Sequence, residues 1–174
     1  MPRIKAIALD VDGVLTDGGV WWGPGGEEWK RFSFADIMGL SLARKSGLIV
    51  ALISGEDSPL VDRMAAKVSI PYVEKNCKDK GAALQRFAGH YQLALHEVCF
   101  MGDDVNDLAA LGLAGVSAAP ADARPVVRDQ CMFISQAKGG NGAVRELVDA
   151  LLAGKLDSSE SAPQPQRMNT TGGL

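Results

Sequence analysis

The sequence is poor in the residues that mark several large classes of protein. It holds three cysteines and two histidines among 174 residues. It has no CxxC pair and no Cys/His spacing of a zinc site. Three thiols are an odd count for a disulfide framework, so a reducing, cytoplasmic setting is expected. No apolar run approaches the ~20 residues of a membrane helix. Met1-Pro-Arg-Ile-Lys5 leads straight into the first apolar run, which leaves no room for a secretory leader. The net charge of −3 gives no electrostatic reason to expect nucleic acid. There is no GxxxxGK[ST] phosphate loop and no internal repeat. Aromatic residues are sparse at 6%, and all three tryptophans (Trp21, Trp22, Trp29) fall in one short segment.

What remains is the composition of a globular domain, with 47% hydrophobic and 22% charged residues. The expected organisation is one domain over 1–155 and a flexible tail over 156–174. From Asp157 onward the tail is Ser-, Gln-, Pro-, Thr- and Gly-rich and lacks the side chains to build a core. Apolar runs at 4–9, 48–53, 71–74, 97–101, 113–118 and 131–135 predict strands. Helical patterns are predicted at 36–46, 58–68, 80–93, 105–111, 122–128 and 142–153. That alternation predicts an α/β fold, a Rossmann-like doubly wound parallel sheet without a cap domain. Between the first strand and the first helix, 18–33 predicts a projecting β-hairpin, with Pro24-Gly-Gly26 at its turn. Its tryptophans either pack on their own domain or form a subunit contact, because exposed apolar patches often mark interfaces. Cys99 and Cys131 are expected in apolar strands as inert core thiols, and Cys77 in a polar loop.

Four segments carry chemistry. Asp10-Val-Asp12-Gly13 follows the first apolar run, so two carboxylates crowd the carboxyl end of a buried strand. There they repel unless a cation or shared proton intervenes; the bland alternative is a turn or helix cap. Ser54-Gly55 ends the second strand, where a hydroxyl and a free N–H can meet a phosphate oxygen. Lys80 stands at a helix start. Gly102-Asp103-Asp104-Val-Asn-Asp107 ends another strand with three carboxylates at a helix N-terminus, which favours negative charge. Each alone reads equally well as a cap or a solvated charge. All four in this order, each after a strand or opening a helix, do not.

This order resembles the motifs of the haloacid dehalogenase superfamily of aspartyl-phosphate hydrolases, over roughly residues 4–152. A narrower resemblance, to the small capless phosphatases of 2-keto-3-deoxy sugar acids, rests on Asp12-Gly-Val-Leu-Thr-Asp-Gly18, Glu28-Trp-Lys-Arg-Phe32, Asp36-x-x-Gly39 and Gly139-Gly-Asn-Gly-Ala-Val-Arg-Glu146. The resemblance implies Asp10 as nucleophile and Asp12 as general acid and base. It implies Mg2+ held by Asp10, Asp103 and the Asp12 main-chain carbonyl, and phosphate held by Ser54, Gly55 and Lys80. Asp104 and Asp107 are expected behind these, orienting Lys80 or metal-bound water. A homotetramer is implied, with the hairpin at the subunit contact.

Two features bear on the substrate. Octulosonate 8-phosphate phosphatases commonly carry Arg after the second-motif glycine, where this chain has Glu56. They also commonly read Asp-Gly where this chain has Asp36-Ile37. Arg63 and Lys67, four apart on the helix opened by Ser58-Pro59, share one face. The Glu56 and Lys67 pair, with Glu28-Trp-Lys30, resembles the nine-carbon branch, acting on nononate or neuraminate 9-phosphates, more than the eight-carbon one. Arg63 and Lys67 read equally as a solvated face, and Gly139–Gly142 as a turn before the last helix. Outside the enzymes, a phospho-acceptor signalling domain uses a similar acidic cluster. It places its adjacent acidic pair on the first strand, whereas here the pair Asp103-Asp104 comes late.

Overall fold

The computed structural model describes residues 3–156. The expected tail, from 157 on, lies outside them. β1 (Ala6–Leu9) is wholly buried, and the chain leaves it through the two-stranded hairpin β2 (Trp21–Trp22) and β3 (Glu28–Trp29). There follow α1 (Phe34–Lys45), β4 (Ile49–Ile53), α2 (Pro59–Val68), β5 (Tyr72–Glu74), α3 (Lys80–His90), β6 (Val98–Met101), α4 (Leu108–Leu113), β7 (Val116–Ala119), α5 (Pro125–Arg128), β8 (Phe133–Ile134) and α6 (Ala143–Leu152).

The six main strands form one parallel sheet in the order β5-β4-β1-β6-β7-β8. β1 therefore lies at the point where the chain switches sides, and ligands of open α/β sheets bind outside the strand ends there. Side chains alternate along β1. Ile7 and Leu9 pack with Leu40, Val61 and Val144 of α1, α2 and α6 on one face. Ala6 and Ala8 face the other way, toward Leu84, Phe87 and Ala110 of α3 and α4. The small strand residues on that second face leave room for Phe87 and Phe100, both fully buried. Both faces are thus covered, which is why the strands read as continuous apolar runs.

Several predicted boundaries move. The stretch at 105 opens as a 3₁₀ turn, Val105–Asp107, before α4, and α4 runs to Leu113, so β7 starts at Val116 rather than 113. α5 is a single turn because Pro125 occupies its first position, where proline is preset for helix, and 122–124 stay outside. β8 has two residues, which leaves Cys131 half-buried ahead of the strand rather than within it. Cys77 lies in the loop before α3 as expected but is buried there, and its Sγ donates to the Asp79 carbonyl at 3.2 Å. The hairpin is shorter than 18–33: Trp21 pairs with Trp29 and Trp22 with Glu28. Its tryptophans do not pack away on their own domain. Trp21, Trp22 and Trp29 are 57%, 75% and 54% exposed, and Phe34 and Met38 of α1 are also exposed. Among the described residues no second folded unit caps the sheet, and no helix is long and apolar enough to cross a membrane.

Candidate active site

The carboxyl ends of β1, β4 and β6 lie level, since Leu9 pairs with both Leu52 and Met101. Asp10 is the first residue past β1, and its N–H donates to the Met101 carbonyl at 3.0 Å. Its Oδ1 accepts from the Val11 N–H at 2.7 Å and meets Lys80 Nζ at 2.7 Å. Lys80 is the first residue of α3, whose N-cap is Asp79, accepting from the Ala82 N–H at 2.9 Å. The lysine is therefore fixed at a helix start and buried almost completely, with Asp107 Oδ1 2.6 Å away on its other side. Asp107 Oδ2 accepts from the N–H groups of Asp103 (2.9 Å) and Asp104 (3.3 Å). Both Asp107 oxygens are thus engaged, in bracing Lys80 and in shaping the loop that presents Asp103. Asp104 caps the 3₁₀ turn through the Val105 N–H and makes an exposed contact to Arg124 at 3.3 Å.

Asp103 closes over Gly13. That glycine has φ +88°, and a Cβ there would overlap the Asp103 carboxylate, so only glycine allows this approach. Asp10, Asp103 and Asp107 can each bring one carboxylate oxygen within 4.8 Å of the others. Burial, then repulsion from Asp107, pushes Asp10 well above the ordinary carboxyl range against the pull of Lys80. Burial, then Asp107, pushes Asp103 up to about 6. Burial pulls Lys80 down, but Asp10 and Asp107 outweigh it, so Lys80 stays charged. One ammonium thus faces three crowded carboxyls, an arrangement whose remaining negative charge suits a hard divalent cation with oxygen ligands. The donor set fits Mg2+: Asp10 keeps one oxygen beyond its contacts with Lys80 and Val11, Asp103 offers its carboxylate, and both Asp107 oxygens are engaged elsewhere.

The raised Asp103 has a consequence for stability. Between the unfolded value of 3.8 and about 6 the folded protein binds the extra proton, so the cation-free protein loses this contribution as pH rises through that window. A cation competes with the same proton. Mg2+ at a hundredfold excess over its Kd is expected to stabilise by about 2.7 kcal/mol, roughly 5–10 °C for a domain of this size. Thermal melts should show this gain near pH 7.5 and much less of it near about pH 5. Equal gains at both would show that Mg2+ does not bind at these carboxyls.

Asp12 lines the same cleft, of about 460 Å³, with Gly55, Glu56, Asp103 and Asp104. Its Oδ1 accepts from the Thr16 hydroxyl at 3.3 Å and its Oδ2 from Lys30 Nζ at 2.9 Å. Burial lowers the Lys30 pKa, but Asp12 and Glu28 outweigh it and raise it. Ser54 is buried and does not itself line the cleft, although Gly55 and Glu56 beside it do; its hydroxyl accepts from the Glu56 N–H at 3.1 Å. Arg63 and Lys67 share a helix face as predicted but do not line this cleft. They border a neighbouring, mostly apolar cavity of about 190 Å³ with Phe32, Ile37, Leu60 and Met64, and Lys67 lies over the Phe34 ring at 5.7 Å. Lys30 borders that cavity too, so its stem lies in one pocket while its head reaches Asp12 of the other.

The Gly139–Gly142 segment is a packed strut, not a loose turn. A Cβ on Gly139 would overlap the Gly13 carbonyl, and the Gly140 N–H donates to the Val14 carbonyl at 2.9 Å. Asp36, fully buried, accepts from the N–H groups of Gly142 (3.1 Å) and Arg145 (3.0 Å), tying α1 to the start of α6. Arg31 donates to the Gly140 carbonyl and to Asn141 Oδ1. Lys30, Thr16 and Arg31 stood in the motifs that carry the resemblance but were given no role there; Lys30 and Arg31 act on partners that only the fold brings near, whereas Thr16 acts on the turn from Asp12 to Gly18 beside it.

A parallel sheet with DxD past its central strand, a buried lysine from a helix start and a late acidic loop defines a haloacid dehalogenase-type hydrolase. Residues 66–147 match the haloacid dehalogenase-like hydrolase family. The chain belongs to that family, and its relatives lie among the family's phosphatases. It is 36% identical over 160 residues to 3-deoxy-D-manno-octulosonate 8-phosphate phosphatase KdsC of Escherichia coli K12, covering 91% of this chain and 85% of that one. The crystal structure of the corresponding phosphatase of Moraxella catarrhalis, in complex with a magnesium ion, a phosphate ion and a KDO molecule, superposes with a TM-score of 0.85 at 35% identity, covering 87% of each chain. The cobalt-bound phosphatase of Haemophilus influenzae superposes with a TM-score of 0.85 at 32% identity, covering 90% of this chain and 92% of that one.

Proposed function

We propose that this chain is a Mg2+-dependent phosphomonoesterase that removes the terminal phosphate from a 2-keto-3-deoxy sugar acid phosphate. The observation that carries the reading is the Asp10–Lys80–Asp107 arrangement, with Asp12 two residues on in the same cleft. The Asp10 and Asp103 carboxylates and the Asp12 main-chain carbonyl would hold Mg2+, which when bound would neutralise the phosphate charge that otherwise repels the nucleophile. Lys80, the Ser54 hydroxyl and the Gly55 N–H hold phosphoryl oxygens. Asp10 attacks phosphorus, the bond to the sugar oxygen breaks, and an aspartyl-phosphate forms. Asp12 gives a proton to the departing alkoxide and then takes one from the water that cleaves the aspartyl-phosphate, releasing phosphate. Asp107 keeps Lys80 and the Asp103 loop in place.

The eight-carbon substrate, 3-deoxy-D-manno-octulosonate 8-phosphate, is the reading supported by the named activities of the relatives. One observation favours the nine-carbon reading: Glu56 lines the cleft itself. Arg63 and Lys67 join the pocket only if substrate or a second copy of the chain bridges the two cavities. The exposed tryptophan and Phe34 patch fits such a copy, and we place the hairpin at the contact of a homotetramer. A panel of eight- and nine-carbon keto-acid phosphates tests both points, with the assembly state followed by sedimentation. The expected result is a kcat/KM preference for the eight-carbon member, unaltered kcat in Lys67→Ala, and an oligomer at micromolar concentration. A nine-carbon preference that Lys67→Ala weakens by about 1–3 kcal/mol, the size of a charge-assisted contact, would overturn the eight-carbon choice. A monomer would overturn the assembly.

A further inference from the structure

Lys30 has no place in the chemistry above, yet it is the most enclosed charged side chain of the hairpin, 6% exposed. Its Nζ lies 2.9 Å from Asp12 Oδ2 and 3.5 Å from Glu28 Oε1. Its methylene stem lies along the apolar cavity of Phe32, Ile37, Leu60 and Met64, which holds the stem while the head stays polar. Glu28 is itself fixed from two sides. Oε1 accepts from the Ser58 hydroxyl at 2.8 Å, at the N-cap of α2, and Oε2 from the Trp22 indole N–H at 3.3 Å. Among the described residues Asp12 is otherwise held only by the longer Thr16 contact of 3.3 Å.

We infer that Lys30 is the positioning residue for Asp12, aiming its carboxylate at the leaving oxygen, and that Glu28 locks Lys30 between the hairpin and α2. A carboxylate at the mouth of an open cleft has several rotamers of similar energy. A partly buried ion pair selects one of them, and proton transfer depends steeply on that geometry. The consequence is specific. Loss of Lys30 should harm the steps in which Asp12 moves a proton and spare phosphate binding and attack by Asp10.

The inference rests on the phosphatase reading and is tested with Lys30→Met, whose apolar side chain fits the same cavity. With the sugar acid phosphate, kcat should fall about ten- to hundredfold, as when an outer partner of a working group is removed, while KM stays within about threefold. The first-turnover release of phenol from an aryl phosphate, which needs little protonation, should stay near the parent rate. In an Asp12→Asn background Lys30→Met should add little, because the two residues act as one unit. Glu28→Gln keeps the shape and weakens the lock, so it should show the same pattern with a smaller loss. It serves as the second variant if Lys30→Met melts too low to assay. An active parent whose variants lose both substrates alike, raise KM instead of lowering kcat, or combine additively with Asp12→Asn would overturn this inference alone. A parent that releases no phosphate from any monoester would overturn the phosphatase reading, and this one with it.

Discussion

Asp10→Asn should lose phosphatase activity by at least about 10,000-fold while the protein stays folded. The substitution replaces the oxygen proposed to attack phosphorus with an amide that cannot form the proposed aspartyl-phosphate. It also removes one of the two carboxylates free to hold Mg2+. The fold should survive because Lys80 keeps its 2.6 Å partner Asp107, so no buried ammonium is left unpaired. The neutral amide also removes one of the three crowded carboxyls. Without Mg2+ the variant should therefore melt no lower than the parent, and the stabilisation by Mg2+ should shrink. Phosphate release and thermal melts measured side by side decide the matter. Activity within about tenfold of the parent would remove Asp10 from the chemistry altogether.

The parts of this site that were readable in the sequence are those tied to strand ends. β1, β4 and β6 are buried on both faces, so each reads as an unbroken apolar run, and the first polar residue after it must lie at the sheet's edge. That logic placed Asp10, Ser54 and Asp103 without reference to distance along the chain. It has no purchase on residues that reach the site sideways. Lys30 meets Asp12 only because a two-residue ladder folds the hairpin back toward α2. The Gly139 strut meets Gly13 only because α6 packs beside α1, with Asp36 joining them over more than a hundred residues of chain. Helical spacing put Arg63 and Lys67 on one face of α2 correctly. The direction that face takes depends on how α2 sits on the sheet, and it left them exposed at the border of the apolar cavity instead of in the cleft. One of the shortest elements suffered for a related reason. β8 is held by its neighbour β7, with the N–H groups of Met132 and Ser135 on either side of it donating to the Ser117 and Ala119 carbonyls, so local pattern overstated its length.

The division of labour proposed for the two carboxylates of the DxD segment predicts a different defect for the second. Asp12→Asn leaves the main-chain carbonyl in place and keeps a side-chain oxygen that can accept from Lys30 or Thr16, so Mg2+ binding and fold should be close to those of the parent. What it removes is a group able to give up and take back a proton. A sugar alkoxide is a poor leaving group and needs that proton as the P–O bond breaks, so turnover of the sugar acid phosphate should fall about 100- to 10,000-fold. An activated phenolate leaves without it. With an aryl phosphate the first turnover should therefore run near the parent rate. Hydrolysis of the aspartyl-phosphate should then stall, because no base draws the proton from the attacking water. Rapid mixing should show a burst of phenolate of about one equivalent per active site followed by slow release, the signature of an accumulating covalent intermediate. The stalled protein should carry the phosphoryl group on Asp10, detectable as a mass increase that mild alkali removes. A variant that loses both substrates equally, with no burst, would mean that Asp12 serves the metal or the turn and that another group in the cleft moves the proton.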